Sequence, residues 1–155
     1  MQVKGEERIR APRPVVYDLL MDPEVLARCI PGCKELRRAG EGAYDAELEL
    51  GIAAVRGRYS GHIEIRDAHR PEAYTLAVSG QGGPGFVNAE LHFSLAEEEG
   101  GTRLSYTGEA QAGGTIAGVG QRMLGGVAKL ITGQFFSALT REVERRTGRE
   151  EAGRS

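Results

Sequence analysis

Five segments between Ala43 and Ala110 alternate apolar and polar residues with period two. In AYDAELEL, Tyr44, Ala46, Leu48 and Leu50 share one face, and Asp45, Glu47 and Glu49 share the other. RYSGHIEI repeats this, setting Tyr59, Gly61, Ile63 and Ile65 against Arg58, Ser60, His62 and Glu64. YTLAVSG places Tyr74, Leu76, Val78 and Gly80 on one face, and FVNAELHFSL does the same with Val87, Ala89, Leu91, Phe93 and Leu95. RLSYTGEA contributes Leu104, Tyr106, Gly108 and Ala110. Side chains along a strand point alternately to opposite faces, so each segment predicts a strand with one apolar and one wet face, as in an antiparallel meander. Turn chemistry separates them at Gly40-Glu41-Gly42, Arg70-Pro71, Gly82-Gly83-Pro84-Gly85 and Gly100-Gly101.

Helical patterns lie at the two ends. RPVVYDLLMD predicts a helix beginning after Pro12, with Pro14 in the first turn, where a missing N–H costs little. Asp22-Pro23 closes it and opens a shorter helix ending near Cys29. A long helix is predicted from about Thr115 to Arg146. At about 100° per residue, Ile116, Gly120, Met123, Val127, Leu130, Ile131 and Ala138 form a stripe expected to face the core. Arg122, Gly125, Lys129 and Phe136 fall opposite, with Gly118 and Gly133 nearby.

A first strand through Val3 and Ile9, two short helices, six further strands and one long helix define an α+β class. A curved seven-stranded antiparallel sheet wrapping the C-terminal helix buries both apolar faces. That architecture resembles the helix-grip fold of START-like and Bet v 1-like proteins. One domain over residues 1–146 is expected, followed by a disordered polar tail at 147–155.

Charge and composition narrow the function. The 155 residues carry a net charge of −2, with the signs interleaved, so no basic stripe argues for nucleic acid. Two cysteines are too few for a secreted disulfide scaffold. MQVKGEERIR lacks the apolar stretch of a signal peptide, and no membrane-spanning run is apparent, so a cytoplasmic protein is expected. Glycine is the outlier: 23 residues, against a usual share of about 7%. Small residues recur at inward positions, including Ala46, Gly61, Gly80, Ala89, Gly108, Ala110 and Gly120. Between a curved sheet and a helix they leave either a collapsed core or an apolar pocket, and a pocket is the expectation. Its expected lining is Leu26, Ile30, Tyr44, Leu48, Tyr59, Ile63, Leu76, Phe93, Tyr106, Met123 and Val127. Tyr44, Tyr59, Tyr74 and Tyr106 have inward parity, and a ligand carbonyl is one partner for their hydroxyls; core filling is the alternative.

Catalytic chemistry finds little support. His62 and His92 have outward parity and His69 lies in a turn. Glu7 is the one inward carboxylate, and the favoured reading is a strand-edge residue reaching solvent. Cys29 and Cys33 are spaced C-x-x-x-C, unlike a redox pair, and offer only two of the four ligands a zinc site needs. They are expected to pack the bend at Ile30-Pro31-Gly32, where Leu26 and Ile30 would form a lip and gate over the pocket mouth. GQGGPG lacks the ending of a phosphate loop. Arg122, Lys129 and Phe136 form either a solvated helix face or a surface for anionic lipid or a partner protein.

APRPVVYDLLMDPEVLARCIPGCKEL, GIAAVRGRYSGHIEI and GGTIAGVGQRMLGGVAKLITGQFF resemble the CoxG family of carbon monoxide dehydrogenase subunits, over about Val3 to Arg146. The resemblance implies a non-catalytic partner of molybdenum hydroxylases of the carbon monoxide dehydrogenase type. Such a protein would hold a lipophilic quinone, menaquinone in particular, or another lipid, with no covalent cofactor. It would link the enzyme to the inner face of the cell membrane. Longer relatives carry a C-terminal extension implicated in membrane attachment; none is expected here, which leaves transient contact. Two alternatives stay open: an assembly module with an incidental cavity, and a cyclase-like or hydrolase-like enzyme using Glu7. A homodimer is also left open.

Overall fold

A computed structural model describes the backbone of residues 1–153 and the side chains of residues 1–148. Strand β1 (Gln2–Ile9) leads into helices α1 (Arg13–Met21) and α2 (Pro23–Cys29). The meander follows as β2 (Cys33–Gly40), β3 (Ala43–Leu50), β4 (Gly57–His69), β5 (Ala73–Gly82), β6 (Gly85–Glu98) and β7 (Gly101–Gly113). A 3-10 turn at Ala53–Val55 joins β3 to β4, and another at Gly114–Val119 precedes helix α3 (Gln121–Gly153). The sheet order is β1-β7-β6-β5-β4-β3-β2, so the first strand pairs with the last. All neighbouring pairs are antiparallel.

Register carries the alternation across the sheet. One inner row runs Tyr44, Ile63, Val78, Ala89, Ala110 from β3 to β7. The next runs Ala46, Gly61, Gly80, Val87, Ala112. Both rows are dominated by small or β-branched residues. Asp22 serves both short helices: it ends α1, and its carboxylate accepts the Glu24 N–H at 2.9 Å to cap α2.

The long helix differs from the sequence expectation in start and phase. Gly120 has φ +95°, a conformation that favours glycine, and it separates the 3-10 turn from α3. A helical phase counted from Ile116 therefore does not carry into α3. Leu124, Val127, Phe135, Phe136, Ala138, Leu139 and Val143 pack into the two hydrophobic clusters, so Val127 and Ala138 of the expected stripe are inside, while the buried face as a whole is turned from that stripe by roughly 100°. Two assignments are overturned as a result. Phe136, expected on the outer surface, is 6% exposed and stacks on Tyr106 at 5.7 Å. Met123 and Leu130, expected inside, are 56% and 46% exposed. The segment expected to be a tail continues the α3 backbone to Gly153; residues 154–155 lie outside the described residues.

The core closes one end of the molecule. An aromatic ladder runs Tyr17, Tyr74, Phe93, Tyr106, Phe136, Phe135, with neighbouring ring centroids 4.8 to 5.9 Å apart. Val16, Leu19 and Leu20 of α1, Val25 of α2, and Leu139 and Val143 of α3 pack around it. Each such large side chain contributes about 1.5–3 kcal/mol on burial, so this end holds the fold together.

Candidate functional site

A second, smaller cluster lies at the opposite end. Val55, Tyr59 and Ile116 are buried there, with Leu48, Leu50, Ile52, Val87, Ala112, Leu124 and Val127 only partly covered around them. Between the two clusters, Leu26, Tyr44, Ala46, Ile63 and Ala110 are buried but belong to neither. Leu76, Val78, Gly80, Ala89 and Leu91 of the central strands, all of inward parity, are partly buried, and Val78, Gly80 and Ala89 also line concavities on the outer face. A Cβ built on Gly80 would meet only the Ser60 carbonyl oxygen, at 4.0 Å. Gly108 is small for a different reason. A Cβ there would lie 1.9 Å from the Glu90 carbonyl oxygen, so its glycine permits a close strand approach and adds no room.

These positions sort the expected lining residues. Phe93 and Tyr106 are rungs of the aromatic ladder. Leu48, Tyr59 and Val127 belong to the second cluster. Leu26, Tyr44 and Ile63 lie between the two, and Leu76 packs against the main core from the same face. Met123 points outward, and Arg122 and Lys129 are exposed near it. Leu124, Ile52 and Val87 are absent from the expected lining. The spacing from Leu124 through Ala128 and Ile131 to Phe135 is the signal that points to the first.

The tyrosine hydroxyls divide in two. Tyr59 donates to the Val55 carbonyl at 2.5 Å and Tyr17 reaches the Ala73 carbonyl at 3.5 Å. Among the described residues no hydrogen-bond partner accompanies the hydroxyls of Tyr44, Tyr74 and Tyr106. Burial raises the Tyr74 phenol strongly, with neighbouring Tyr17 adding to the effect, so it stays protonated and able to donate.

The bend at Ile30-Pro31-Gly32 is pinned. Gly32 has φ +71°, its carbonyl accepts the Glu49 N–H at 2.9 Å, and a Cβ there would lie 2.2 Å from the Glu49 oxygen. Arg28 donates to both carboxylate oxygens of Glu142, at 2.7 and 3.0 Å, and holds α2 against α3. A gate at this bend, as expected from the sequence, would have to break both attachments. Cys29 is buried, and desolvation, with Glu142 second, pushes its thiol up to about 11. Cys33 is half-buried, its thiol also raised by burial, and its Sγ–H reaches the Glu35 carbonyl at 3.5 Å. Both thiols are free.

Acid–base groups collect on the other side of the sheet. His62 Nδ1 lies 2.7 Å from Asp45 Oδ1 and its Nε2 lies 3.1 Å from Glu64 Oε1. These hydrogen bonds, Asp45 first, raise its pKa above the ordinary value. His92 Nδ1 lies 2.9 Å from Thr75 Oγ1. Two shallow concavities on this outer face, of about 450 and 410 Å³, share His62, Ser79 and Asn88 and are lined mainly by polar side chains. Glu7 lies half-buried on the edge strand β1, opposite Leu104. Among the described residues no group of three or more potential ligands could hold a metal ion. No described helix is long and apolar enough to cross a membrane.

A curved antiparallel sheet around a C-terminal helix, with two short helices after the first strand, defines a START-like, Bet v 1-like helix-grip protein. Solved structures share the fold. Ara h 8.0201 superposes with a TM-score of 0.70 at 12% identity, covering 94% of this chain and 98% of that one. Protein CV1439 from Chromobacterium violaceum gives 0.71 at 19% identity, covering 92% and 96%. A conserved protein from Geobacillus kaustophilus is nearer, with a TM-score of 0.91, 44% identity and coverage of 94% and 96%. Among curated proteins none matches. The chain belongs to the CoxG family of carbon monoxide dehydrogenase subunits, whose model matches residues 5–144.

Proposed function

We propose that this protein is a non-catalytic carrier of an apolar ligand, a quinone such as menaquinone, serving a molybdenum hydroxylase of the carbon monoxide dehydrogenase type. The observation that carries the reading is the inner face. Inward-facing Leu76 and Leu91 on the central strands are only partly buried, and a Cβ at Gly80 would have no neighbour closer than 4.0 Å. Small-molecule sites are mostly apolar with a few placed polar groups, and the hydroxyl of Tyr44, buried outside both clusters and with no hydrogen-bond partner among the described residues, is a donor of that kind. Family membership supports a carbon monoxide dehydrogenase as the partner enzyme. Exposed Met123 and Leu130 beside Arg122 and Lys129 support contact with that enzyme or with the inner face of the membrane. The catalytic alternative is disfavoured because the paired acid–base groups lie on the outer face, away from the candidate pocket.

The test is direct. Purified protein is incubated with bacterial lipid extract, re-isolated by gel filtration and analysed by mass spectrometry. One quinone per chain is expected in wild type, with strong depletion in Gly80→Leu. Repeated recovery of neither quinone nor lipid would overturn the carrier reading and leave the assembly-module alternative.

A further inference from the structure

We infer that the front half of α3, from Gln121 to Gly133, is a lid over the candidate pocket that opens at its glycines while both of its ends stay anchored. The inference deepens the carrier reading and rests on it for the lid's role. The two halves of the helix are built differently. In the back half, Phe136, Leu139 and Val143 are buried, and Arg28 holds Glu142. In front of Phe136, no residue of α3 is fully buried. Leu124 and Val127 rest on the loosely covered second cluster, over the inner face of the sheet.

Three glycines interrupt this front half: Gly125, Gly126 and Gly133. Glycine inside a helix is explained by packing when another group must come close. Here a Cβ at any of the three would meet nothing within 4 Å. Close packing therefore does not account for them in the closed structure. Their effect is to favour local unwinding, by about fivefold each relative to alanine. The entering chain is separately held: Ile116 is buried and its N–H donates to the Pro84 carbonyl at 2.9 Å. Gly120, at φ +95°, joins that anchor to the helix. A segment pinned at Ile116 and at Phe136, glycine-rich and lightly covered between them, can lift without disturbing the core.

Hydrogen–deuterium exchange on the full chain, read by mass spectrometry, tests the motion. Uptake of the fluorescent apolar probe N-phenyl-1-naphthylamine, followed by stopped flow, tests the role. Amides of 121–133 are expected to exchange at least about tenfold faster than those of 136–146. Replacing all three glycines with alanine should slow front-half exchange by about a hundredfold and slow probe uptake in step, leaving the back half unchanged. The single variant Gly126→Ala should show about a fivefold effect. Uniform protection along α3, or slowed exchange with unchanged uptake, would overturn the lid. No probe uptake by either protein, with the exchange contrast intact, would overturn the carrier reading while supporting the motion.

Discussion

Replacing Gly80 with leucine should block ligand uptake while leaving the protein folded, and Gly108→Ala should do the reverse. The two glycines face the same side of the sheet, yet their surroundings differ sharply. A Cβ at Gly80 has its nearest neighbour, the Ser60 carbonyl oxygen, at 4.0 Å, and Gly80 is not at positive φ. Exchanging a strand-interior glycine for a larger residue removes a handicap of about 0.5–1 kcal/mol, so stability should hold or rise slightly. The added side chain occupies the space assigned to the ligand, and forced overpacking there costs about 1–3 kcal/mol. At tenfold per 1.4 kcal/mol, binding should weaken by about 5- to 150-fold. At Gly108 the added carbon would lie 1.9 Å from the Glu90 carbonyl oxygen and 2.9 Å from the Leu91 Cα, both backbone atoms. Strands β6 and β7 would have to separate, at about 1–3 kcal/mol or more. For a chain of this size that lowers Tm by about 2–4 °C per kcal/mol. Thermal unfolding and titration with N-phenyl-1-naphthylamine measure the two quantities independently. The reasoning is refuted if folded Gly80→Leu binds the probe with wild-type affinity, or if it loses as much Tm as Gly108→Ala.

Other outcomes follow from the same geometry. Phe136→Ala removes a rung of the aromatic ladder and should cost about 3–5 kcal/mol in urea unfolding, where a surface phenylalanine would cost almost nothing. His62 faces a carboxylate at each ring nitrogen, and only the imidazolium can donate to both. Its folded pKa is raised, so its contribution is fully present below the unfolded value of about 6.5 and is lost as pH rises through the folded value. The Tm advantage of wild type over His62→Asn should accordingly shrink as pH rises above the ordinary histidine value of about 6.5; an advantage that grows with pH contradicts the assignment. Iodoacetamide at neutral pH should label Cys33 well before Cys29, whose buried thiol is raised to about 11, with a second label gained on unfolding. Equal labelling of the two in the folded protein would contradict the burial of Cys29.

Much of the fold is legible in the chain because strand periodicity is local. Tyr44 through Leu50 and Val87 through Leu95 alternate residue by residue, and the structure keeps that parity across the sheet. The phase of α3 is hidden because the glycine-rich run from Gly113 to Gly120 looks like the start of a helix. One residue at positive φ resets where the count begins. Phe135 and Phe136, the largest apolar side chains in that segment, are the better guide to its buried face.

The candidate site divides the same way. That the small and apolar residues of the meander would share one face followed from parity alone, since a strand has only two sides. Which small residues leave room did not follow. Gly80 and Gly108 are equivalent in pattern, yet an added Cβ would lie 4.0 Å from the nearest carbonyl oxygen at one and 1.9 Å at the other, because sheet curvature sets how closely neighbouring strands approach. Likewise the sequence marked Ile30-Pro31-Gly32 as a bend, while only the packed molecule ties that bend to Glu49 and α2 to Glu142. Alternation and turn chemistry are properties of adjacent residues, so the sequence determined them. Free space and anchorage depend on atoms far apart in the chain, so tertiary structure decided them.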